Sequence, residues 1–450
     1  MPDIDRIAVE MNGLQEAENE PSSDGNQVSP SPEHQQANGC EGESIVDGVP
    51  RGESISTEET WQDGGADSNR LRRSSEIRAR YSEDRVSSVE NKRAANVISD
   101  GFEDTESPLG IRWAPLKISP RRRLQTLVVL YHTISVAIYL TAFFFSCAIP
   151  LLWPLLLPYL VYISLFSKAS TDGTLRRRSQ FLRSLRIWTY FAEYFPAKLH
   201  RSEVLPPTRK YIFGYHPHGI ISHGAFAAFA TEALGFSELF PGITNTLLTL
   251  DANFRLPFYR DYALAMGLRS VSRESCENLL SKGGPDGEGM GRAITIVVGG
   301  ARESLDAQPH KIRLILKQRK GFVKLAIRTG ADLVPVLAFG ENELYEQVSS
   351  DQHPLIHRFQ LLVKQTMGFT IPLFHARGVF NYDVGLMPYR RPLHIVTGRP
   401  IPVVQQPKRD KIDDAYVNEL HGRYVAELRR LWEDWKDTFA SERASELEIN

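Results

Sequence analysis

The longest apolar stretch of the chain runs from Leu124 to Phe166, where 43 residues include no Asp, Glu, Lys or Arg. A helix needs about 20 apolar residues to cross a bilayer, so this length predicts two passes with a tight connection. The first pass reaches about Ser146, and the second begins at about Ile149. A buried pair of core helices is the weaker interpretation, because a soluble core would not shield so long an uncharged run.

Charges at the two ends of this stretch predict its orientation. Arginines occupy positions 121–123 before it and 176–178 after it, and clustered arginines favour the cytosolic side of a membrane. Both ends are therefore expected in the cytosol, which predicts a hydrophobic hairpin over residues 109–178. Whether the hairpin re-enters or makes two full spans stays open. Pro150, Pro154 and Pro158 predict a kinked or partly broken second half.

The segment before the hairpin, residues 1–108, is dominated by Ser, Glu, Asp, Asn, Gly and Pro, with almost no clustered large apolar side chains. Such a segment cannot bury enough apolar surface to offset about 1–2 kcal/mol per residue of backbone ordering. We therefore expect a disordered N-terminal tail.

The remainder, residues 179–450, alternates short β-rich runs with helical or loop segments, which predicts an α/β domain with a sheet covered by helices. The predicted strands are Tyr211–Tyr215, Thr244–Leu250, Ala293–Val298, Leu333–Phe339 and Leu393–Thr397. From about Asp413 onward, apolar residues recur at helical spacing with Glu and Arg on the other face. This pattern predicts a C-terminal amphipathic helix that packs on the domain.

The net charge and the cysteine content indicate which partners and which cellular compartment to expect. The 450 residues carry a net charge of −1, which gives no general attraction to nucleic acid. Cys40, Cys147 and Cys276 are the three cysteines, and Cys147 lies inside the apolar run. A disulfide framework is therefore not expected, and a reducing cytosolic setting is the default. The acidic first ten residues do not resemble a cleaved secretory signal.

Candidate chemistry is densest at His216-Pro217-His218-Gly219, which ends a predicted strand. An imidazole suits removal of a proton from an alcohol near neutral pH, and ligand crevices form at strand ends in α/β sheets. A metal site that includes His223 is the alternative, but the spacing fits no zinc pattern. Purely structural histidines are the other alternative.

A second candidate lies where a β-branched strand runs into Gly299 and Gly300, with Glu303 just beyond. Glycines there allow backbone amides to approach a ligand oxygen, as an oxyanion hole requires, and Glu303 could orient an imidazole. A simple turn is the alternative. A basic run at residues 317–324 fits a solvated face, contact with anionic lipid, or binding of a phosphate-bearing co-substrate.

Taken together, residues 108–440 resemble the type 2 diacylglycerol acyltransferase family, which also contains monoacylglycerol and wax-ester acyltransferases. The His-Pro-His-Gly sequence matches the family's hallmark. Further blocks at residues 194–199, 253–267 and 319–341 occur in the family's order. The substrate-binding residues that the resemblance implies are Tyr194, Phe195, Pro196, Gly219, Asn253, Arg260, Arg319, Gly321, Phe322 and Lys324.

The resemblance implies a mixed sheet flanked by helices, as in the glycerolipid acyltransferases, anchored by the hydrophobic hairpin. It also implies acyl transfer from acyl-coenzyme A to diacylglycerol without a metal or other cofactor, with His218 favoured over His216 as the base. A more distant resemblance is to the glycerophospholipid acyltransferases, which have a strand-end His, a later Gly/Glu segment and a closing Gly398-Arg399-Pro400-Ile401 in the same order. Those enzymes carry an Asp five residues after the histidine, whereas Ile221 and His223 occur at that spacing here. Glu303 is the expected substitute for that Asp.

Several alternatives remain at this stage. The acceptor could be monoacylglycerol or a fatty alcohol, and a non-catalytic lipid-binding or droplet-tethering protein is the alternative of another class. The resemblance implies acyl-coenzyme A, diacylglycerol and membrane lipids as partners, no nucleic acid, and a location at the endoplasmic reticulum membrane or lipid droplet with the catalytic domain cytosolic. Formation of a homo-oligomer stays open.

Overall fold

A computed structural model describes residues 113–347 except 116, residues 374–406 and residues 412–450, without the side chain of Ala301. The predicted N-terminal tail, residues 1–108, lies outside this described part of the chain. All the described residues fall within the unit Ser82–Asn450.

The described α-helices are α1 (Pro120–Thr133), α2 (Ser135–Cys147), α3 (Trp153–Val161), α4 (Gln180–Arg183), α5 (Arg186–Tyr194), α6 (His223–Ala225), α7 (Phe236–Leu239), α8 (Tyr259–Ala265), α9 (Arg273–Ser281), α10 (Gly300–Glu303), α11 (Gly321–Thr329) and α12 (Asp414–Phe439). The strands are β1 (Lys198–Arg201), β2 (Tyr211–His216), β3 (Thr244–Thr249), β4 (Arg269–Ser270), β5 (Arg292–Val297), β6 (Arg313–Leu314), β7 (Asp332–Phe339), β8 (Glu346–Gln347), β9 (Phe374–His375), β10 (His394–Thr397) and β11 (Glu448–Ile449).

Seven of the strands form one mixed sheet in the order β1-β10-β7-β2-β5-β3-β4. Neighbouring strands are parallel except β10 and β7, which are antiparallel. Every residue of β2 and β7 is buried, as expected of central strands with both faces covered. The predicted α/β class and all five predicted strands are confirmed to within one residue at each end.

The predicted C-terminal amphipathic helix is α12, which begins after Asp413. The Asp413 Oδ1 atom accepts a hydrogen bond from the Ala415 backbone N–H at 2.9 Å, so the side chain caps the helix. The buried face contains Val417, Leu420, His421, Tyr424, Leu428, Leu431, Trp432 and Trp435. Phe339 of β7 stacks on Trp432, which places this helix on one face of the central sheet.

The hydrophobic segment is more broken than its sequence predicts. The first predicted pass, Leu124 to about Ser146, is not one helix, because α1 and α2 meet at Ile134 with a bend of 66°. Side chains on both sides of the bend bond back to backbone carbonyls, Thr133 to Val129 and Ser135 to His132. Such bonds bend helices, which accounts for a break in a run without proline or glycine.

The second half of the hydrophobic segment begins after Ile149. It consists of a 3₁₀ turn, helix α3 and a π turn that ends at Phe166. Within the described residues, no single helix is long and apolar enough to cross a membrane, while the bent pair α1–α2 would be by length and composition. Part of the segment packs on α8, where Tyr139 stacks on Tyr262. Other large apolar side chains are exposed, among them Phe144, Phe145, Leu151, Leu155, Leu165 and Phe166.

Candidate active site

The carboxyl ends of three parallel strands bring the predicted catalytic residues together. His216 is the last residue of β2, Gly299 and Gly300 follow β5, and Glu341 follows β7 by two residues. Because β2 lies between β5 and β7 in the sheet, the His-Pro-His-Gly turn has a neighbouring strand end on each side. This is the sheet edge at which α/β proteins form ligand crevices.

One ring nitrogen of His218 makes a hydrogen bond within the turn. Its Nδ1 atom lies 3.1 Å from the Gly219 carbonyl oxygen. A carbonyl only accepts, so Nδ1 carries the proton and Nε2 keeps its lone pair. The side chain is half-buried, and burial lowers the pKa of His218 below its usual value of 6.5. A neutral imidazole with a free Nε2 is the form that a general base requires.

Glu303 contacts the backbone of this turn. We expected its carboxylate to orient an imidazole, but Oε1 accepts from the His218 backbone N–H at 2.6 Å and Oε2 from the Ile315 backbone N–H at 2.8 Å. The side chain is buried, and burial raises its pKa to about 7. Glu303 therefore positions His218 through the main chain, while the ring is oriented by the Gly219 carbonyl oxygen.

The two glycines after β5 make room for this carboxylate. A Cβ atom at Gly299 would lie 2.2 Å from the Glu303 carboxyl carbon, so only glycine permits the contact. Gly300 has a φ of +59°, in the left-handed region that glycine adopts without strain, and it begins the short helix that carries Glu303. The oxyanion role of both glycines stays a prediction.

Glu341 is a second buried carboxylate, on the other side of the turn, to which sequence reasoning assigned no role. It accepts from the Tyr215 hydroxyl at 2.7 Å and from the backbone N–H groups of His223 and Gly224 at 2.8 and 2.9 Å. Burial raises its pKa to about 7. A Cβ atom at Gly219 would lie 2.7 Å from the Glu341 Cγ atom, which explains the glycine of the motif.

His216 lies in a different environment from His218. It is fully buried, and its Nε2 atom lies 3.0 Å from the Tyr424 hydroxyl of α12. That hydroxyl donates to the Gly214 carbonyl oxygen at 3.0 Å, so His216 donates to the tyrosine oxygen. Burial lowers the pKa of His216 to about 3. This histidine connects the end of β2 to the C-terminal helix.

The third histidine, His223, bonds to the Tyr345 hydroxyl at 2.8 Å and stacks on Phe195. His216, His218 and His223 thus have three different partners. Among the described residues, no group of three or more His, Cys, Asp or Glu side chains is placed to hold a metal ion.

The other predicted binding residues lie in several places. Tyr194 and Phe195 are completely buried, and the Tyr194 hydroxyl donates to the Pro388 carbonyl oxygen at 2.6 Å. Pro196 follows at the end of that segment with a φ of +24°. Arg260 is buried and donates to the Phe254 carbonyl oxygen and to Ser167, which joins the loop after β3 to the end of the hydrophobic segment.

Asn253 lies in the same loop and donates to the Thr249 hydroxyl at 2.8 Å. These contacts give Tyr194, Phe195, Asn253 and Arg260 structural partners, and their role in binding stays a prediction.

The block that begins at Arg319 lies beside α12. The Phe322 ring packs on Tyr424 with centroids 4.8 Å apart, so it supports the partner of His216. Gly321 begins α11, and Lys324 pairs with Asp414 at 3.3 Å on the surface. The positive charge of Arg319 acts to lower the pKa of Glu303, against the larger effect of burial. Of these four residues, Arg319 is thus electrostatically coupled to the active-site turn.

The family model described as "Diacylglycerol acyltransferase" matches residues 144–450. The chain belongs to the diacylglycerol acyltransferase family. The resemblance seen in the sequence and the prediction of an acyltransferase enzyme are thereby confirmed.

The chain is also similar in sequence to curated proteins over most of their length. The chain is 50% identical over 339 residues to "Diacylglycerol O-acyltransferase 2A" of Umbelopsis ramanniana, which covers 75% of this chain and 93% of that protein. It is 42% identical to "Diacylglycerol O-acyltransferase 1" of Schizosaccharomyces pombe, covering 73% and 92%. It is 44% identical to "2-acylglycerol O-acyltransferase 1" of Bos taurus, covering 73% and 96%.

One solved structure, the 1-acyl-sn-glycerophosphate acyltransferase PlsC of Thermotoga maritima, covers 66% of this chain and 98% of its own. The TM-score of 0.29 and the 13% identity are too low for a comparison of site residues.

Proposed function

We propose that this diacylglycerol acyltransferase family member transfers the acyl group of acyl-coenzyme A to the free hydroxyl of 1,2-diacylglycerol and so makes triacylglycerol. The observation that carries the proposal is the half-buried His218, whose Nδ1–H is held by the Gly219 carbonyl oxygen while Nε2 stays free. The relatives named as diacylglycerol O-acyltransferases support the same acceptor.

The step follows from that tautomer. Nε2 of His218 removes the proton from the acceptor hydroxyl as its oxygen attacks the thioester carbon. The carbon–sulfur bond then breaks, the ester forms, and the imidazolium returns its proton to the leaving coenzyme A thiolate. A positioned base contributes about 10²–10⁴ in rate. Backbone N–H groups near Gly299 and Gly300 are the proposed donors to the oxyanion, and no metal or other cofactor takes part.

The proposed location is the cytosolic face of the endoplasmic reticulum membrane and the lipid droplet surface. Diacylglycerol partitions into the bilayer, and the exposed apolar side chains between Phe144 and Phe166 give the protein a surface suited to lipid. The hydrophobic segment also contacts the domain near α8, where the Tyr159 hydroxyl donates to Asp261 at 2.6 Å. The anchor and the catalytic domain are thus joined by direct contacts.

A second acceptor, monoacylglycerol, is favoured by one specific observation, the 44% identity to the bovine 2-acylglycerol acyltransferase. The test is an acceptor panel in which microsomes bearing the full chain receive labelled acyl-coenzyme A with diacylglycerol, monoacylglycerol or fatty alcohol. We expect the highest kcat/KM with diacylglycerol. A higher value with monoacylglycerol would reassign the acceptor, and no product with any acceptor would refute the proposed enzyme function.

The base is tested in the same microsomes. His218→Ala should lower turnover by about 10²–10⁴ at unchanged abundance and membrane association. His421→Ala is the control, because this buried histidine of α12 bonds to the Leu316 carbonyl oxygen and makes no contact with the strand-end turn. If His218→Ala keeps more than about a tenth of wild-type turnover, His218 is not the base.

A further inference from the structure

A cationic pocket lies beside the start of the hydrophobic segment, away from the strand-end turn. It encloses about 520 Å³, and its lining includes Arg122, Arg377, Arg390 and Arg391. We call these four residues the arginine pocket. The acidic residues of the lining are Glu346 and Asp383, and Glu346 pairs with His375 at 3.4 Å. The pocket therefore has an excess of positive charge.

Two of these arginines, Arg377 and Arg390, are held in place by uncharged groups. Arg390 donates to Gln125 Oε1, to Thr126 Oγ1 and to a backbone carbonyl oxygen of α1, and its guanidinium lies 4.0 Å from the centre of the Tyr194 ring. Arg377 is 7% exposed and lies over the Tyr382 ring at 5.1 Å. Burial, with a smaller contribution from the charges of Arg122 and Arg377, lowers the pKa of Arg390 to about 10.

A loop that includes Tyr382 and Asp383 of the lining borders the pocket. Residues 376–387, which we call the apolar hairpin, fold back on themselves through the isolated bridges Ala376–Gly385 and Arg377–Met387. Its apolar side chains are largely exposed: Phe380 at 72%, Val384 at 58% and Leu386 at 64%. Trp113, 56% exposed, pairs with Asn381 of the same hairpin. An exposed apolar patch at the rim of a cationic pocket matches the two parts of a phospholipid.

We propose that the arginine pocket binds the phosphate of an anionic phospholipid while the apolar hairpin and Trp113 insert among the neighbouring acyl chains. The position supports this occupant, because Arg390 contacts the first turns of α1 just where the apolar run begins at Leu124. Arg122 also belongs to the basic flank that is expected at the cytosolic leaflet, where anionic lipids are found. The pocket would give the enzyme a second membrane contact besides the hydrophobic segment.

The first test measures lipid binding directly. The purified full chain in neutral detergent is titrated with dioctanoyl phosphatidic acid or dioctanoyl phosphatidylcholine, and bound lipid is counted by native mass spectrometry. The Arg122→Gln/Arg391→Gln variant removes two exposed arginines of the pocket. The control, Arg255→Gln/Arg423→Gln, removes two exposed arginines elsewhere, so the net charge changes equally.

Each arginine near an anionic lipid contributes about fivefold to binding. We therefore expect the pocket variant to bind phosphatidic acid roughly 25-fold more weakly, with the control close to wild type. Equal losses in the two variants, or no preference for phosphatidic acid over phosphatidylcholine, would overturn the proposal. In a competition experiment, coenzyme A is added to protein that carries bound phosphatidic acid. If coenzyme A displaces this lipid as effectively as additional phosphatidic acid does, the pocket binds the phosphates of the acyl donor and the lipid assignment is wrong.

The second test measures insertion of the hairpin. Phe380→Cys carries an environment-sensitive fluorophore in nanodiscs, with Cys40 and Cys147 replaced by Ser and Cys276 kept because it is buried. The control position is Val404→Cys, which is 73% exposed and outside the hairpin. We expect a blue-shifted emission and quenching by spin-labelled lipid at position 380 only. Solvent-like emission at position 380 would refute insertion whatever the catalytic activity.

Discussion

His218 keeps a neutral ring because its environment disfavours the charged form. Burial lowers the pKa of the imidazole, and the contact with the Gly219 carbonyl oxygen opposes this only in part. The partner of Nδ1 is a backbone carbonyl, and no Asp stands five residues after this histidine. An uncharged partner stabilises the imidazolium less than a carboxylate would, so the proposed base does not act through a charged dyad.

The pH dependence of turnover follows from that lowered pKa. An imidazole that must be neutral to act loses activity only as the pH falls through its pKa, so the acid limb of kcat/KM should lie below pH 6.5. The His218 imidazole should cause no change from about pH 6.5 to 8, so a fall in activity as the pH drops through about 7 would come from protonation of Glu303, whose pKa burial raises to about 7. A pH profile of microsomal acyl transfer checks this, and the Glu303→Gln variant shows whether a buried carboxyl contributes. Half-maximal activity at or above pH 6.5 in both proteins would contradict the expected tuning of His218.

Tyr424 tests whether His216 is structural. Tyr424→Phe leaves the buried His216 Nε2–H and the Gly214 carbonyl oxygen without their partner, and such losses cost about 1–3 kcal/mol. We expect a clear fall in thermal stability in detergent, with turnover at a permissive temperature within about tenfold of wild type. Tyr416→Phe on the same helix, where the hydroxyl accepts from the exposed Val404 N–H, should cost less than about 1 kcal/mol. Unchanged stability with lost turnover would give His216 a catalytic role.

At the scale of elements, the active site depends on how short segments follow the strands. The turn after β5 brings Glu303 to the His218 backbone, and the turn after β7 brings Glu341 to the His223 backbone. Glu303 accepts from the His218 N–H of the turn, and Glu341 accepts from two N–H groups just after it, so the segment from His218 to Gly224 is held from both neighbouring strand ends. Preorganisation of this kind is what positions a base against its substrate.

Gly299 is the point at which that arrangement is most sensitive. Gly299→Ala should push the Glu303 carboxylate away from the His218 N–H, and misplacement of a catalytic group by about 1 Å can cost 10²-fold in rate. We expect a loss of about 10- to 100-fold in kcat. Gly422→Ala in α12 is the control, because this glycine is exposed and a Cβ there meets no atom within 4 Å, and the activity of this variant should stay within about twofold of wild type. Comparable activity in the two variants would show that the Glu303 contact does not matter for catalysis.

The same elements show what sequence patterns can predict. The five central strands were found because both of their faces are buried and their residues are accordingly apolar and β-branched. Two edge strands, β1 and β4, were missed because β1 has only one apolar residue among four and β4 has only two residues, so neither carries such a pattern. Glu303 was found through its motif, but its backbone contact was not predictable. Tyr424 was missed as a partner of His216 because 208 positions separate them, and only the docking of α12 brings them together.

For the molecule as a whole, both ends of the apolar segment are attached to the catalytic domain. Before the segment, Arg121 pairs with Glu193 of α5. After it, Arg177 pairs with Asp261 of α8 at 2.6 Å. Exposed ion pairs of this kind contribute little to the stability of the fold. They do show that the residues just before and just after the apolar segment contact the catalytic domain. Because the two ends contact one domain, we expect them to lie on the same side of any membrane that the segment enters.

The charge pattern and these contacts together predict the topology. Six arginines flank the segment, and each gains about 1 kcal/mol near an anionic cytosolic leaflet, so both flanks should remain cytosolic. Ser88→Cys and Ser441→Cys, each in a background with Cys40 and Cys147 replaced by Ser, should therefore both react with an impermeant thiol reagent in sealed microsomes. A lumenal glutathione-sensitive reporter confirms that the vesicles are closed. Labelling of position 441 with protection of position 88 until detergent is added would mean an odd number of crossings. In that case the contacts of Arg121 and Arg177 with one domain could not both exist in the membrane-bound enzyme. The hairpin would then have to be abandoned, but the proposed catalytic role of His218 would be unaffected.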